Sequence, residues 1–158
     1  MQLNGSCHCG TVRFSVTAYA PVPYLRCYCS ICRKTAGGGG YAINLGAKAA
    51  TLRVEGEDHI SVFHAQIDGE EGRAERRFCS RCGSALWVWD PRWPELVHPF
   101  AGVIDSPLPE APEVEHMMVG SKASWIRVDA RGSEKLHDDY PKQSLEDWHR
   151  IRGLLDQD

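Results

Sequence analysis

The chain has 158 residues, of which 42% are hydrophobic and 25% are charged, and its formal net charge is −3. These values predict one soluble globular domain and argue against a general nucleic-acid-binding protein, which is usually basic. No apolar run approaches the roughly 18 residues of a membrane-spanning helix, so no membrane partner is expected. The first residues lack the charged and apolar regions of a secretory signal, and a cytoplasmic location is expected by default.

Most of the chain predicts β-structure. Val12, Phe14 and Val16 alternate with polar residues, which is typical of a strand with one buried face. Other short apolar stretches, bounded mostly by Gly, Asp or Pro, predict further strands. These strands are expected at 41–45, 50–55, 59–65, 85–89, 100–104, 116–120 and 123–128.

Only the C-terminal end predicts a helix. Ser144 and Asp147 have the spacing of a capping box, in which side chains bond the free N–H groups of the first turn. Apolar residues follow at helical spacing, namely Leu145, Trp148, Ile151 and Leu154 or Leu155. The predicted fold class is therefore mainly β with a short C-terminal helix.

Cysteines dominate the candidate chemistry. Their number, seven, is odd, which excludes complete internal disulfide pairing and disfavours a disulfide-stapled secreted domain. Structural cysteines of a core would be scattered among hydrophobic positions, whereas these cluster as metal ligands do. They fall into three groups: Cys7 and Cys9; Cys27, Cys29 and Cys32; and Cys79 and Cys82.

A division into four and three uses every cysteine. The first and last pairs are each followed by a glycine, and together they supply four thiolates, the ligand set of structural zinc. The middle group then supplies three thiolates and leaves one coordination position of a second zinc open. Spacing alone leaves another partition open, in which one pair joins part of the middle group. Zinc suits thiolates better than magnesium or calcium, and the spacings differ from those of ferredoxin iron–sulfur clusters.

Basic residues accompany two of the cysteine groups. Zinc bound by three or four thiolates carries a net negative charge, which neighbouring cations can offset. Such cations stand beside the middle group (Arg26, Arg33 and Lys34) and the last pair (Arg76, Arg77 and Arg81). Solvated surface cations are an equally good interpretation.

An open three-thiolate zinc favours thiol chemistry. Because three thiolates donate strongly, such a zinc is a weak Lewis acid, less suited to making hydroxide than to binding an incoming thiol. A bound thiolate can attack an electrophilic carbon such as that of an aldehyde. The sequence thus predicts reversible carbon–sulfur bond formation or cleavage on a small thiol substrate.

The cysteine motifs also resemble a known family. Residues 7–14 (CHCGTVRF), 27–34 (CYCSICRK) and 79–84 (CSRCGS) resemble the glutathione-dependent formaldehyde-activating enzyme family, whose domain is shared with centromere protein V. Residues 102–105 (GVID) and 121–125 (SKASW) look like its later motifs. The resemblance covers roughly residues 3–130. One departure is Tyr28, because the middle motif of the family usually has histidine there.

The resemblance implies an Mss4-like zinc-binding β-sheet fold with two Zn²⁺ ions per chain. The structural zinc would be held by Cys7, Cys9, Cys79 and Cys82, and the catalytic zinc by Cys27, Cys29 and Cys32. The implied activity is that of a carbon–sulfur lyase that joins formaldehyde to glutathione, giving S-hydroxymethylglutathione. Residues 1–135 would form the family domain, and residues 136–158 a C-terminal extension with a helix in the same unit.

Two other functions stay open. In a non-catalytic interaction module both zinc sites would be structural, and a residue such as His64 or His98 would close the middle site. In a redox-sensing protein the closely spaced cysteines would form reversible disulfides. His98 and His116 are predicted to be packed or surface histidines, with a proton-transfer role as the alternative.

Overall fold

The computed structural model describes residues 1–155, and most of its regular structure is β-strand, as the sequence predicts. The strands are β1 (Gln2–Ser6), β2 (Arg13–Thr17), β3 (Tyr24–Cys27), β4 (Ala42–Asn44), β5 (Ala47–Lys48), β6 (Arg53–Glu55), β7 (Ile60–Phe63), β8 (Gln66–Ile67), β9 (Glu70–Glu71), β10 (Glu75–Cys79), β11 (Ala85–Trp89), β12 (Leu96–Pro99), β13 (Val114–Met117) and β14 (Lys135–Leu136). The α-helices of the described chain are α1 (Ser30–Thr35) and α2 (Leu145–Ile151).

The strands form three sheets and a small hairpin. An antiparallel sheet has the order β1-β2-β6, and a larger antiparallel sheet has the order β5-β12-β11-β10-β7. The third sheet, β14-β13-β3-β4, is mixed, because β13 runs parallel to both β14 and β3. Strands β8 and β9 pair only with each other. Each of the three sheets leads into one group of cysteines: Cys7 directly follows β1, Cys27 ends β3, and Cys79 ends β10.

The main core lies between the two antiparallel sheets. The alternation predicted at Val12, Phe14 and Val16 places all three side chains inside, with 4% exposure or less. Phe14 meets Trp87 of β11 edge to face, with ring centroids 5.2 Å apart. Cys7 and Cys79 belong to the same buried cluster. One cysteine site is consequently built into the packing between the sheets.

Some strand predictions are wrong. The stretch 100–104 forms a 3₁₀ turn at Ala101–Val103, and 123–128 contains no strand. The predicted strand at 116–120 ends at Met117, where Met118 adopts a left-handed conformation (φ 59°) and begins a further 3₁₀ turn. Short apolar stretches can therefore form turns that bury single side chains. The alternation of apolar and polar residues does not distinguish such a turn from a strand.

The prediction that only the C-terminal end is helical is also wrong. Helix α1 begins directly after Cys29, whose sulfur accepts the N–H of Cys32 at 3.3 Å as an N-cap. At the C-terminus the predicted cap is confirmed, since the Ser144 hydroxyl accepts the N–H of Asp147 at 3.0 Å. Helix α2 ends at Ile151, so Leu154 and Leu155 lie beyond it, and residues 156–158 of the predicted extension lie outside the described residues. Within residues 1–155, none of the helices is long and apolar enough to span a bilayer.

Glu113, just before β13, joins the C-terminal extension to the mixed sheet. Its carboxylate accepts hydrogen bonds from Arg152 Nη2 at 2.6 Å, Trp148 Nε1 at 3.3 Å and Lys135 Nζ at 3.3 Å. The Trp148 side chain is buried, at 2% exposure. These contacts attach the extension to the mixed sheet, and its membership of the same folding unit stays a prediction.

Replacing Glu113 with glutamine should lower stability in a pH-dependent way. The Arg152 hydrogen bonds are the first cause of the lowered pKa of Glu113, whose ordinary value is 4.5. A carboxylate whose pKa is lowered in the folded state contributes its full stabilisation of the fold at pH values above its unfolded pKa. This contribution is lost as the pH falls through the folded-state pKa. We expect Glu113→Gln to cost about 1 kcal/mol at neutral pH, measured by urea unfolding, and the difference from wild type to shrink as pH falls below 4.5 and through the lower pKa of the folded carboxyl. Glu146→Gln, which removes an exposed pair with Arg150, is the control; equal effects of both variants would contradict the prediction.

Candidate metal centres

The first and last cysteine pairs meet, although 70 residues separate Cys9 from Cys79. The sulfurs of Cys7, Cys9, Cys79 and Cys82 all lie within 4.8 Å of one another. Cys7 Sγ is 3.5 Å from Cys9 Sγ, which in turn is 3.9 Å from Cys79 Sγ. A tetrahedral zinc with Zn–S bonds of about 2.3 Å separates its sulfurs by about 3.8 Å. Four sulfurs at this spacing fit a closed thiolate zinc site.

Two similar turns hold these sulfurs. In each turn a glycine amide bonds back to a cysteine carbonyl, Gly10 to Cys7 at 2.9 Å and Gly83 to Cys79 at 2.8 Å. Both glycines have positive φ, 72° and 75°, a conformation that other L-residues rarely adopt. The turns are joined by the His8 N–H, which donates to Ser84 Oγ at 3.1 Å. His8 thus contributes its backbone to the contact between the turns.

The electrostatics of the four-cysteine site differ between its inner and outer sulfurs. Burial raises the pKa of Cys79 to about 11, whereas the Ser84 hydroxyl is the first cause that lowers the pKa of Cys82 to about 5. Cys9 and Cys82 are exposed, and Cys7 and Cys79 are buried. The site therefore has two buried sulfurs set in the core and two solvent-facing sulfurs.

The middle group forms a separate cluster, termed here the triplet site (Cys27, Cys29 and Cys32). Cys27 ends β3, Cys29 caps α1, and Cys32 lies within α1, so a strand-to-helix turn brings the sulfurs within 4.8 Å of one another. Hydrogen bonds among the three side chains lower the pKa of Cys29 and raise that of Cys27. Three sulfurs held this close together are a suitable donor set for a thiophilic cation.

The triplet site has no further protein ligand within residues 1–155. Among residues 1–155, no histidine or carboxylate joins the group of ligand atoms around its three sulfurs. The two histidines considered as a fourth ligand bond backbone carbonyls elsewhere: His64 Nδ1 lies 3.1 Å from Gly72 O, and His98 Nδ1 lies 3.2 Å from Leu45 O. Within the described chain, the triplet site therefore offers one donor fewer than tetrahedral zinc requires.

One basic residue approaches the triplet site from an unexpected element. The sequence groups Arg76 with the last cysteine pair, but the structure places its guanidinium on the triplet site, where Nη2 donates to Cys32 Sγ at 3.5 Å. Asn44 Nδ2 approaches the same sulfur at 3.9 Å. Arg26 instead lies over the ring of Tyr41, 5.2 Å from its centroid. Pairing of β10 next to β11 explains the placement of Arg76, and residue spacing gave no signal for it.

Replacing Arg76 with methionine should loosen metal held at the triplet site. A guanidinium that donates to a metal-bound thiolate disperses its negative charge, and hydrogen bonds to charged groups contribute about 1.5–3 kcal/mol. We expect the metal of the triplet site to transfer to a colorimetric chelator about tenfold faster in Arg76→Met. Arg77→Met, whose guanidinium pairs with Glu75, is the matched control. Identical transfer rates for Arg76→Met and Arg77→Met would contradict this role.

Tyr28, the residue between the first two triplet cysteines, takes part in a buried chain of hydrogen bonds. Its hydroxyl lies 2.8 Å from His116 Nδ1, and His116 Nε2 lies 3.1 Å from Glu134 Oε2. Tyr28 and His116 are each 3% exposed, and the Tyr28 N–H donates to Met117 O at 3.0 Å. His116 is thus a packed histidine, and the network fixes the backbone that carries Cys27 and Cys29.

A cavity of about 340 Å³ lies near the triplet site on the β4 side. It is lined by the end of α1, by Tyr41–Ile43 and by the Ala101–Val103 turn. Ala36 and Val103 of this lining also pack on the buried cluster that contains Cys27 and Cys32. The stretch 100–104, predicted as a strand, therefore forms part of the surroundings of the triplet site.

Known proteins resemble this chain in sequence and fold. The family model described as "Glutathione-dependent formaldehyde-activating enzyme" matches residues 2–121. A protein of Halomonas elongata named "Putative glutathione-dependent formaldehyde-activating enzyme" is 57% identical over 154 residues, which cover 98% of each chain. A crystal structure of a Rhodobacter sphaeroides protein superposes with a TM-score of 0.52 at 27% identity, covering 69% of this chain and 92% of that one. The chain belongs to the glutathione-dependent formaldehyde-activating enzyme family.

Proposed function

We propose that this protein is a zinc-dependent carbon–sulfur lyase that acts on the adduct of formaldehyde with glutathione. The observation that carries the proposal is the contrast between the two cysteine clusters. One cluster gathers four sulfurs, whereas the other gathers three and, among residues 1–155, no fourth ligand atom. Cys7, Cys9, Cys79 and Cys82 would hold a structural zinc, and Cys27, Cys29 and Cys32 would hold a catalytic zinc.

The proposed reaction is the reversible addition of a thiol to an aldehyde. The glutathione sulfur forms a bond to the carbonyl carbon of formaldehyde, the C=O double bond becomes a single bond, and the thiol proton ends on the oxygen. The product is S-hydroxymethylglutathione, and the reverse reaction cleaves the same carbon–sulfur bond. When bound at the triplet site, zinc would lower the pKa of the substrate thiol and keep its sulfur nucleophilic.

The residues of the chain supply position and charge. The Cys27-to-Cys32 turn holds three sulfurs within 4.8 Å of one another, and the Tyr28–His116–Glu134 network fixes its backbone. Arg76 places a positive charge at Cys32, which would offset the negative charge of a substrate thiolate bound at this site. These features support thiol binding at the remaining coordination position.

The competing functions have less support. An interaction module with two closed zinc sites requires a fourth ligand at the triplet site, and His64 and His98 are engaged elsewhere. A redox sensor would require accessible thiols, and four of the seven cysteines, Cys7, Cys27, Cys32 and Cys79, are buried. The family assignment and the three-sulfur site together favour the enzyme.

The test is exchange of ¹³C-formaldehyde with its glutathione adduct, followed by NMR magnetisation transfer. The addition also occurs without a catalyst, so the expected result is exchange faster than in buffer, and loss of the excess rate after a chelator removes metal. Metal analysis of the same preparation should give two zinc ions per chain. Two zinc ions combined with exchange no faster than in buffer would refute the proposed activity.

A further inference from the structure

The C-terminal extension forms a second cavity, which we call the extension cavity. Its volume is about 440 Å³, and it is lined by Glu115 of β13, by Lys135 of β14 and by the segment 137–143. Apart from Glu115, all of these residues follow the region that matches the family model, which ends at residue 121. The cavity is therefore built mainly by a part of the chain that the family model leaves out.

Backbone hydrogen bonds fix this segment against the mixed sheet. Met118 N donates to Asp139 O at 2.9 Å, Val119 N to His137 O at 3.0 Å, and Gly120 N to Asp138 O at 3.2 Å. His137 Nε2 also lies 3.1 Å from Glu115 Oε2. The segment thus has a defined position relative to β13.

The register of the mixed sheet places the extension cavity beside the triplet site. Glu115 pairs with Leu25, and Met117 pairs with Cys27. Residues two apart in a strand share one face, so Glu115 and Met117 lie about 7 Å apart on the same face. Met117 packs in the buried cluster that contains Cys27 and Cys32. The cavity and the triplet sulfurs consequently lie next to each other along one face of the sheet.

Tyr140 is the aromatic residue of the cavity lining. Its side chain lines the cavity and is 57% exposed. The preceding residue, Asp139, accepts the N–H of Met118 at 2.9 Å, and Met118 directly follows Met117, the partner of Cys27 in the sheet. The backbone therefore places Tyr140 close to the strand end that carries Cys27.

The charges around the cavity suit a zwitterion. Asp138 and Asp139 are exposed acids on its wall, and Lys142 is an exposed base close to them in the chain. Lys135 is engaged by Glu113 and Glu115, whereas Lys142 forms no ion pair within residues 1–155. An exposed lysine without an ion-pair partner among these residues can bind a ligand carboxylate, and the aspartates can bind an ammonium group.

We propose that the extension cavity binds the charged, amino-acid part of the thiol substrate, with Lys142 on a carboxylate and Tyr140 beside the chain that leads to the thiol. This inference rests on the proposed function, since it names the binding place of the same substrate. Glutathione has two carboxylates, one ammonium group and a thiol, and thus matches both the cavity and the adjacent sulfur site. The extension therefore sets the preference of the enzyme for an amino-acid-bearing thiol over a simple thiol.

The test uses S-methylglutathione, which keeps the charges of glutathione and has no free thiol. Calorimetry with the metal-containing protein should show binding, with Kd about tenfold higher for Lys142→Met, the loss expected for one charge-assisted hydrogen bond. Tyr140→Ala should weaken binding as well. Lys122→Met removes an exposed lysine outside the cavity lining and should leave Kd unchanged.

A second measurement separates this inference from the proposed function. Exchange of formaldehyde with 2-mercaptoethanol, which has no charged groups, should be the same in wild type and in Lys142→Met. If the protein binds S-methylglutathione with the expected variant pattern and accelerates neither reaction, the lyase proposal fails and the cavity assignment stands. The assignment is overturned if wild type does not bind S-methylglutathione, or if Lys142→Met and Lys122→Met have equal effects.

Discussion

Cys79→Ser is expected to prevent the protein from folding stably. The Cys79 side chain is fully buried, and its sulfur lies in the cluster of four and in the main core at once. Structural zinc contributes on the order of 10–16 kcal/mol to folding in small zinc domains, which is comparable to or larger than the about 5–15 kcal/mol net stability of a typical domain. Loss of one ligand from the four-cysteine site should therefore outweigh the other interactions that stabilise the fold.

Circular dichroism and metal analysis provide the measurement. The variant should lose its near-ultraviolet signal and its cooperative thermal transition, and it should retain less than one zinc per chain. Ser80→Ala, at the neighbouring exposed position, is the control and should behave as wild type apart from the hydrogen bond from its hydroxyl to His59 O. A folded Cys79→Ser protein with two bound zinc ions would contradict a structural role for this cluster.

The structure brings the cysteines together in the groups of four and three that the sequence suggests, because their spacing reflects local geometry, and their binding of zinc stays a prediction. A cysteine pair followed by glycine forms a turn by itself, as the Cys7-to-Gly10 and Cys79-to-Gly83 turns do. The contact between these two turns depends on long-range packing. The number of cysteines suggested this contact, and the structure shows it. Other partitions, which spacing left open, do not occur among the described residues.

The surroundings of the triplet site were less predictable. Arg76 contacts Cys32 because the pairing of β10 with its neighbouring strands places it there. Tyr140 lines the extension cavity because of the path of the chain after β14. Helix α1 was missed because it has only six residues and its cap is a cysteine rather than one of the usual capping residues. Contacts between elements that are distant in sequence produce no local sequence pattern, so they could not be predicted from the sequence.

The second large effect is expected for Cys29→Ser, which should remove activity and preserve the fold. Cys29 is the N-cap of α1, and its sulfur accepts the N–H of Cys32 at 3.3 Å. Serine is a favoured N-cap, so its hydroxyl can take over this hydrogen bond and the helix should form as before. As a metal ligand, however, a neutral hydroxyl is far weaker than a thiolate, and only two sulfurs remain at the triplet site.

We therefore expect Cys29→Ser to bind one zinc per chain, to unfold within a few degrees of wild type, and to lose the excess rate of formaldehyde exchange by at least about a hundredfold. Cys29→His is the matched variant, because imidazole is a regular zinc ligand and should restore the second metal ion. The activity of Cys29→His shows whether the reaction requires only a bound metal ion or also three thiolate ligands. If Cys29→Ser kept two zinc ions and full exchange, the triplet site would not be the catalytic centre. If Cys29→His bound two zinc ions with little activity, the charge of three thiolates, rather than the presence of the metal alone, would be what the reaction requires.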